Sequence, residues 1–181
     1  MPEYEAFELN NEKPGSIRYR NRSGERVALA PGTVNQVIAY DSGGLPAPAT
    51  LGTWTTVAFT AGDFTSSAGT LTVASGDLIS FQYTLIGKTM TVTFEIVTAT
   101  LATTAAANLV ILIPASKTAA KRSVGWAVGL DNGTVAAPAI VVLPATDSAK
   151  IFVYRDATLT NTWAVQTDTL AVRGGITFEV A

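Results

Sequence analysis

Apolar and polar residues alternate along residues 79–98 in two runs that meet at Gly87-Lys88. A period of two is typical of strands with one buried face, and a two-residue turn containing glycine is typical of a hairpin. The pattern therefore predicts a β-hairpin. Its apolar face collects Ile79, Phe81, Tyr83 and Leu85 on the first run and Met90, Val92, Phe94 and Ile96 on the second.

Similar short runs separated by turn signals continue from Leu51 onward, with the spacing expected of an antiparallel sandwich or barrel. Residues 101–107 are interpreted as a loop or a single helical turn, because threonine disfavours a longer helix. We expect an all-β fold. The predicted strands are 54–59, 70–73, 78–86, 89–98, 108–113, 124–130, 139–143, 150–155, 162–165 and 176–180.

Charge is unevenly distributed along the chain. Ten of the 26 charged residues lie in the first 26 positions, and the remaining 155 residues carry sixteen. Such a shift in composition is typical of a boundary between domains. We predict an N-terminal attachment or short shaft segment at residues 1–46, a linker at 47–50 and one main domain at 51–181.

Residues 17–24 and 37–44 each have the pattern of a strand followed by a turn of Asn or Asp with glycine. Arg18, Arg20 and Arg22 alternate in the first of these, so we expect all three on one face of a strand. Two interpretations of this stripe remain open. It is either a docking surface for an acidic partner or an edge strand whose charges prevent unwanted pairing.

Charged residues make up 14% of the chain, against about 25% in average soluble domains. So few charges favour association between subunits, although a neutral surface rich in threonine and serine would also explain them. A net charge of −2 without a basic patch argues against nucleic acid as a partner. No apolar stretch reaches the roughly 20 residues of a spanning helix, so we expect no membrane insertion. No signal-peptide pattern is present, so we expect the protein to be made and kept in the cytosol or to leave it by a non-secretory route.

The chain contains no cysteine and no histidine. Thiol or imidazole catalysis and the metal sites built from these groups are therefore excluded, and only carboxylate chemistry remains. Aspartates adjoin turns, where their side chains bond the local backbone, so we predict that the protein is not an enzyme and has no cofactor. A hard cation held by Asp147, Asp156 and Asp168 is a weaker alternative, and we predict no metal site.

The three tryptophans are assigned separately. Trp54 and Trp163 lie in strand-like runs and are expected in the core or in a subunit interface. Trp126 lies between Gly125 and Gly129. Its position is left open between the core, an interface and an exposed site that stacks on a sugar ring.

Four pieces of the chain, in this order, resemble the trimeric jelly-roll head domains of bacteriophage fibres and spikes, which share the fold of complement C1q and tumour necrosis factor. The pieces are the hairpin at 83–94, the strand at 109–114 that ends in Ile-Pro, the strand at 151–155 and the closing Gly-Gly-Ile-Thr-Phe-Glu-Val at 174–180. Upstream, residues 32–46 resemble the short repeat that often precedes such heads. The resemblance covers roughly residues 30–181.

The resemblance implies an antiparallel jelly-roll sandwich that forms a homotrimer and is displayed on a virion assembled in the host cytoplasm. It would be a head fibre, spike or decoration protein of the capsid, or a tail-fibre tip, attached to a capsid or tail protein through its N-terminal segment. Loops at the far end of the head would contact the host surface, and the candidate contacts to a surface glycan are Lys117, Lys121, Arg122 and Trp126. One alternative is a free-standing bacterial carbohydrate-binding or C1q-like module. Another is a glycan hydrolase, although the clustered pair of acids that such an enzyme needs is not seen in the sequence.

Overall fold

A computed structural model describes residues 16–30, 36–40, 43–50, 52–136, 141–142 and 147–181. The chain divides into two compact units, Met1–Leu51 and Gly52–Ala181. All the described strand pairs are antiparallel, and the described residues contain two short 3-10 turns, Ala61–Asp63 and Pro114–Ser116, but no α-helix. The prediction of an all-β fold is confirmed.

The described part of the first unit consists of two hairpins. Strands β1 (Ile17–Arg20) and β2 (Arg26–Leu29) form one, and β3 (Gln36–Tyr40) and β4 (Pro46–Thr50) form the other. The first turn is closed by the Asn21 carbonyl Oδ1, which accepts from the backbone N–H groups of Ser23 and Glu25 at 3.0 Å each. Residues 47–50, which we predicted as a linker, lie within β4, and the units divide after Leu51.

The second unit contains two sheets. The larger has the order β12-β11-β15-β9-β8-β5, with β7 also paired to β9, and the smaller has the order β13-β14-β10-β6. The strands are β5 (Thr55–Thr56), β6 (Phe64–Ser66), β7 (Thr70–Thr72), β8 (Leu78–Ile86), β9 (Thr89–Ala102), β10 (Asn108–Leu112), β11 (Trp126–Asp131), β12 (Thr134–Ala136), β13 (Val141–Val142), β14 (Lys150–Tyr154) and β15 (Gln166–Glu179).

Several strand boundaries differ from the prediction. The strand expected at 54–59 is limited to β5, and the one at 162–165 is reduced to an isolated bridge between Trp163 and Ala106. The last strand is longer than expected because β15 begins at Gln166. Strands β6 and β12 were not predicted, and of the strand expected at 139–143 only β13 lies among the described residues.

The predicted β8–β9 hairpin is confirmed, with a two-residue turn between the paired residues Ile86 and Thr89. Gly87, the first turn residue, has φ +58°, a conformation that a type II′ turn requires and that glycine adopts without strain. Placing Ile79 on the buried face was wrong. Leu78 pairs with Ile96 and Ser80 with Glu95, so Ile79 is the extra residue of a bulge and its side chain is exposed.

A second bulge reverses which residues of β9 face the core. Even-numbered residues from Met90 to Ile96 are buried, whereas beyond the bulge Ala99 and Leu101 are buried instead. Between Ile96 and Ala99 β9 advances three residues while β15 advances two, and Thr98 has φ +54°. The extra residue keeps this long strand apolar toward the core along its whole length.

The two sheets share one core. Buried apolar side chains of both belong to one cluster, including Phe94 and Val172 of the larger sheet and Ile111 and Ile151 of the smaller. The fully buried indole of Trp163 joins the sheets, because its Nε1–H donates to the carbonyl oxygen of Val153 in β14 at 3.1 Å while its ring packs on Gly129 of β11. The architecture is therefore that of a β-sandwich.

Candidate functional site

Strand β11 has an unusual distribution of side chains. Its sequence, WAVGLD, alternates large apolar residues with small or polar ones, and a buried face would be expected to collect the large ones. The reverse is observed, because Ala127 and Asp131 are buried while Trp126, Val128 and Leu130 are exposed. The Trp163 ring explains this orientation, since a Cβ atom on Gly129 would lie 2.9 Å from it, too close for any larger side chain.

The outward orientation of β11 creates an apolar groove on the larger sheet. We call this surface the outer face and define it by the side chains of β9, β15, β11 and β12 that point away from the core. The groove has a volume of about 340 Å³, and Val135 of β12 at its rim is 78% exposed. Its outward-facing lining consists of Glu95, Val97, Val128, Leu130, Val135, Ala171 and Arg173.

Trp126 continues the outer face. It pairs with Gly175 of β15, and its Nε1 lies 3.5 Å from the position that a Cβ atom of residue 175 would occupy. The methyl group of Thr93 lies 3.2 Å from the same position. The absence of a side chain at Gly175 thus leaves room for the indole beside Thr93. Trp126 nevertheless remains 61% exposed. An exposed aromatic ring beside an apolar groove is suited to protein contact or to stacking on a sugar.

Beyond Trp126 the outer face becomes polar. Thr91 and Thr177 share a hydrogen bond of 2.9 Å between their hydroxyls, and Lys121 Nζ lies 3.0 Å from Glu179 Oε2. The hydrogen bond from Lys121, its charge and the charge of Lys88 lower the pKa of Glu179. Because this ion pair is exposed, it contributes little to stability and is available for contact with other molecules.

The four residues predicted to contact a receptor do not form one cluster. Trp126 lies on the outer face. Lys121 lies at the rim of this face, where it forms an ion pair with Glu179, and Arg122 is exposed. Lys117 lines a separate groove with Asp63, next to Ala115 and Ser116, which both have positive φ angles. Of the other tryptophans, Trp163 is in the core as predicted, whereas Trp54 is half exposed and outside it.

Asp131 has a structural environment rather than the simple turn position that the sequence suggested. It is buried at the end of β11, and its Oδ2 accepts from the guanidinium of Arg155. Its Oδ1 accepts from the backbone N–H of Ala164 at 3.0 Å and from Gln166 Nε2 at 2.8 Å. Gln166 in turn accepts from the backbone N–H of Asn132. This network connects the end of β11 to the loop between β14 and β15.

The three aspartates considered for a cation lie in separate local networks. Asp156 accepts from the backbone N–H groups of Thr158 and Leu159 and from the Thr158 hydroxyl. Asp168 exchanges hydrogen bonds with Thr100, and Asp147 pairs with Lys150 at 2.8 Å. Among the residues that the structure describes, no three acidic side chains come together as a metal site.

Asp156 gives a prediction for the pH dependence of stability. Hydrogen bonds, first of all from the Thr158 hydroxyl, lower the pKa of Asp156 against the opposing effect of burial. A lowered pKa in the folded state stabilises the protein when the pH is above the pKa of the unfolded chain, about 3.9. This contribution is lost as the pH falls through the pKa of the folded state. We expect wild type to be more stable than Asp156→Asn at pH 7 and the difference to shrink below about pH 4. Urea titrations of both proteins across pH 3–7 measure this, and a difference that is constant with pH would contradict it.

The arginine stripe is arranged differently from the prediction. Arg18 and Arg20 lie on one face of β1, but β1 ends at Arg20, and Arg22 lies in the turn, where its guanidinium donates to the carbonyl oxygen of Gly43. The third arginine on the basic face is Arg26, which pairs with Arg20 across the hairpin and lines the same small groove. The Asn21–Gly24 turn was the available signal, because a tight turn there places residue 26 opposite residue 20.

The second unit is thus a β-sandwich of antiparallel sheets that carries an apolar, partly aromatic outer face. No helix among the described residues is long and apolar enough to cross a membrane. Comparison with protein-family models gives no match, and no curated protein and no solved structure matches the chain.

Proposed function

We propose that this protein is a bacteriophage virion protein, a homotrimer displayed on the particle as a short head fibre, spike, decoration protein or tail-fibre tip, with a role in host attachment. Its sandwich would be a jelly roll. In support, the chain alternates between the sheets, with β9 and β11 in the larger sheet and β10 between them in the smaller. Strand β14 lies in the smaller sheet, and β15 then returns between β9 and β11. Exchange of this kind is typical of jelly rolls.

The observation that carries the proposal of self-association is the reversed orientation of β11. A strand that directs Trp126, Val128 and Leu130 to the solvent leaves apolar area that a partner would cover. The groove in this face is lined by one acid and one base, Glu95 and Arg173, which are direct cross-strand neighbours, and the Lys121–Glu179 ion pair lies beyond it. A nearly neutral, apolar surface has no charge that selects a different partner, and it suits packing against identical copies.

Self-association through the outer face is tested with Leu130→Lys. A lysine at this position would bring an unpaired charge into the interface, so we expect the trimer to dissociate at micromolar concentration while the subunit stays folded. Leu159→Lys is the matched control, because Leu159 and Leu130 are both 38% exposed and Leu159 lies in the loop after β14. Sedimentation equilibrium gives the mass, for which 18.8 kDa is the monomer value. A wild-type monomer would exclude the homotrimer, and equal behaviour of the two variants would exclude this face.

Display on a virion requires a part that attaches and a part that contacts the host. We assign attachment to the N-terminal unit with its basic face of Arg18, Arg20 and Arg26, which suits an acidic surface on a capsid or tail protein. The exposed Lys117, Lys121 and Arg122 are candidate contacts to anionic surface glycans. Mass spectrometry of particles purified from the lysed host tests whether the protein is displayed on the virion. A virion protein stays with the particles through a density gradient, whereas a free protein does not.

A second candidate function, a free-standing carbohydrate-binding module, is favoured by the exposed indole of Trp126. In this case the ring would stack on a sugar rather than on another subunit. The two functions are distinguished by oligomeric state and binding together: a monomer that binds polysaccharide and loses binding in Trp126→Ala would support the module.

A further inference from the structure

The β3–β4 hairpin lacks a core of its own. It contains two strands, and every residue of it whose exposure is described is partly or fully exposed. A two-stranded hairpin in water is at best marginally stable, because its few hydrogen bonds do not offset the conformational entropy lost on ordering it. Its order therefore depends on contacts outside the hairpin, and the donation from Arg22 to the carbonyl oxygen of Gly43 in its turn covers none of its side chains.

The register of the hairpin defines its two faces. Tyr40 pairs with Pro46 and Ile38 with Pro48, so these four side chains share one surface, which we call the Tyr40 face. Tyr40 is 77% exposed and Ile38 is 47% exposed. The opposite face is built from smaller side chains, including Val37. The Tyr40 face therefore presents the largest apolar groups of the hairpin to the solvent.

The prolines of β4 decide how a partner can approach. Proline has no N–H, so the N–H groups that β4 donates to β3 are those of Ala47 and Ala49. In an antiparallel pair the residues between them direct their backbone groups to the open edge, where Pro46 and Pro48 offer no donors. This edge resists the addition of another strand. The edge of β3 contains no proline, but only association across the Tyr40 face buries the large apolar side chains of the hairpin, which makes it the favoured mode.

The chemistry of the hairpin favours a second copy of the same chain as the partner. Neither Gln36–Tyr40 nor Pro46–Thr50 contains a charged residue, so no charge selects a different protein. We propose that β3–β4 hairpins of different copies pack through their Tyr40 faces, and that this packing is what orders them. The proposal rests on the homo-oligomer proposed above. Because the β4 edge is blocked, these hairpins cannot add to one another strand by strand to form a continuous fibril.

Hydrogen exchange of the full chain, read by mass spectrometry, tests this inference through the amides of β3 and β4. We expect protection in the wild-type oligomer and its loss in Ile38→Lys, which places a charge on the Tyr40 face. The matched control is Val37→Lys on the opposite face of the same strand, which should keep the protection. Leu130→Lys, if monomeric, should lose it as well, because no other copy is present.

Sedimentation equilibrium of the same samples separates the two proposals. An oligomer whose hairpin is unprotected, or whose protection survives Ile38→Lys, would overturn the hairpin inference and leave the homo-oligomer in place. A wild-type monomer would overturn both. Protection that persists in a monomeric variant would show that contacts within one chain order the hairpin, and would likewise overturn the inference.

Discussion

Phe94→Ala should lower the free energy of unfolding by about 3–5 kcal/mol, the cost of removing a large aromatic side chain from a packed core. Phe94 lies in the centre of β9 and is buried, with Phe81 and Gly174 as its neighbours on the adjoining strands. Gly174 adds no side chain of its own, so the space vacated by the ring would remain largely empty. Urea denaturation monitored by circular dichroism measures the loss.

Thr93→Ala is the matched control for this core prediction. Thr93 precedes Phe94 on the same strand but points to the outer face, and its buried hydroxyl has no hydrogen-bond partner. Removing the hydroxyl breaks no hydrogen bond, so the cost should stay below about 1 kcal/mol. Equal losses in the two variants would mean that the assignment of faces in β9 is wrong.

Asp131→Ala should be similarly costly, at about 3–5 kcal/mol, because it removes one partner of a largely buried ion pair. The substitution leaves Arg155, Gln166 and the N–H of Ala164 without their shared acceptor. Asp131→Asn keeps one acceptor oxygen but loses the charge, so we expect an intermediate loss. Equilibrium unfolding in urea ranks the three proteins.

A double-mutant cycle with Arg155→Ala isolates the ion pair within this network. If Asp131 and Arg155 interact directly, the double variant should lose less stability than the sum of the single variants. Strictly additive losses would show that Asp131 acts through Ala164 and Gln166 alone. The cycle also indicates how much of the order in the β14–β15 loop depends on this carboxylate.

The buried carboxylate illustrates a limit of sequence analysis. Asp131 precedes Asn132-Gly133, and a turn assignment is correct for the backbone of that segment. Its burial depends on Arg155 and Gln166, which are distant in sequence and reach it only when β14 and β15 are in place. No local pattern contains that information, because a turn aspartate and a buried one have the same neighbours along the chain.

The outer face shows the same limit with a larger consequence. Alternation in β11 is visible in the sequence, and it predicts a strand with two different faces. Which face is buried was decided by Trp163, whose ring occupies the space above Gly129 and leaves no room for Val128 or Leu130 on the inside. The basic face is a smaller case, since Arg26 replaces Arg22 once the turn fixes the register of β1 and β2.

Local sequence patterns are sufficient to predict the all-β class, the β8–β9 hairpin and the buried positions from Met90 to Ile96, because period-two alternation and a glycine turn are local properties. The bulges at Ile79 and Thr98, the pairing of β15 with both β9 and β11 and the exposure of Trp126 are visible only in the folded protein. These features depend on register and on competition for space in the core between residues distant in sequence. They therefore become defined only when the two sheets pack together.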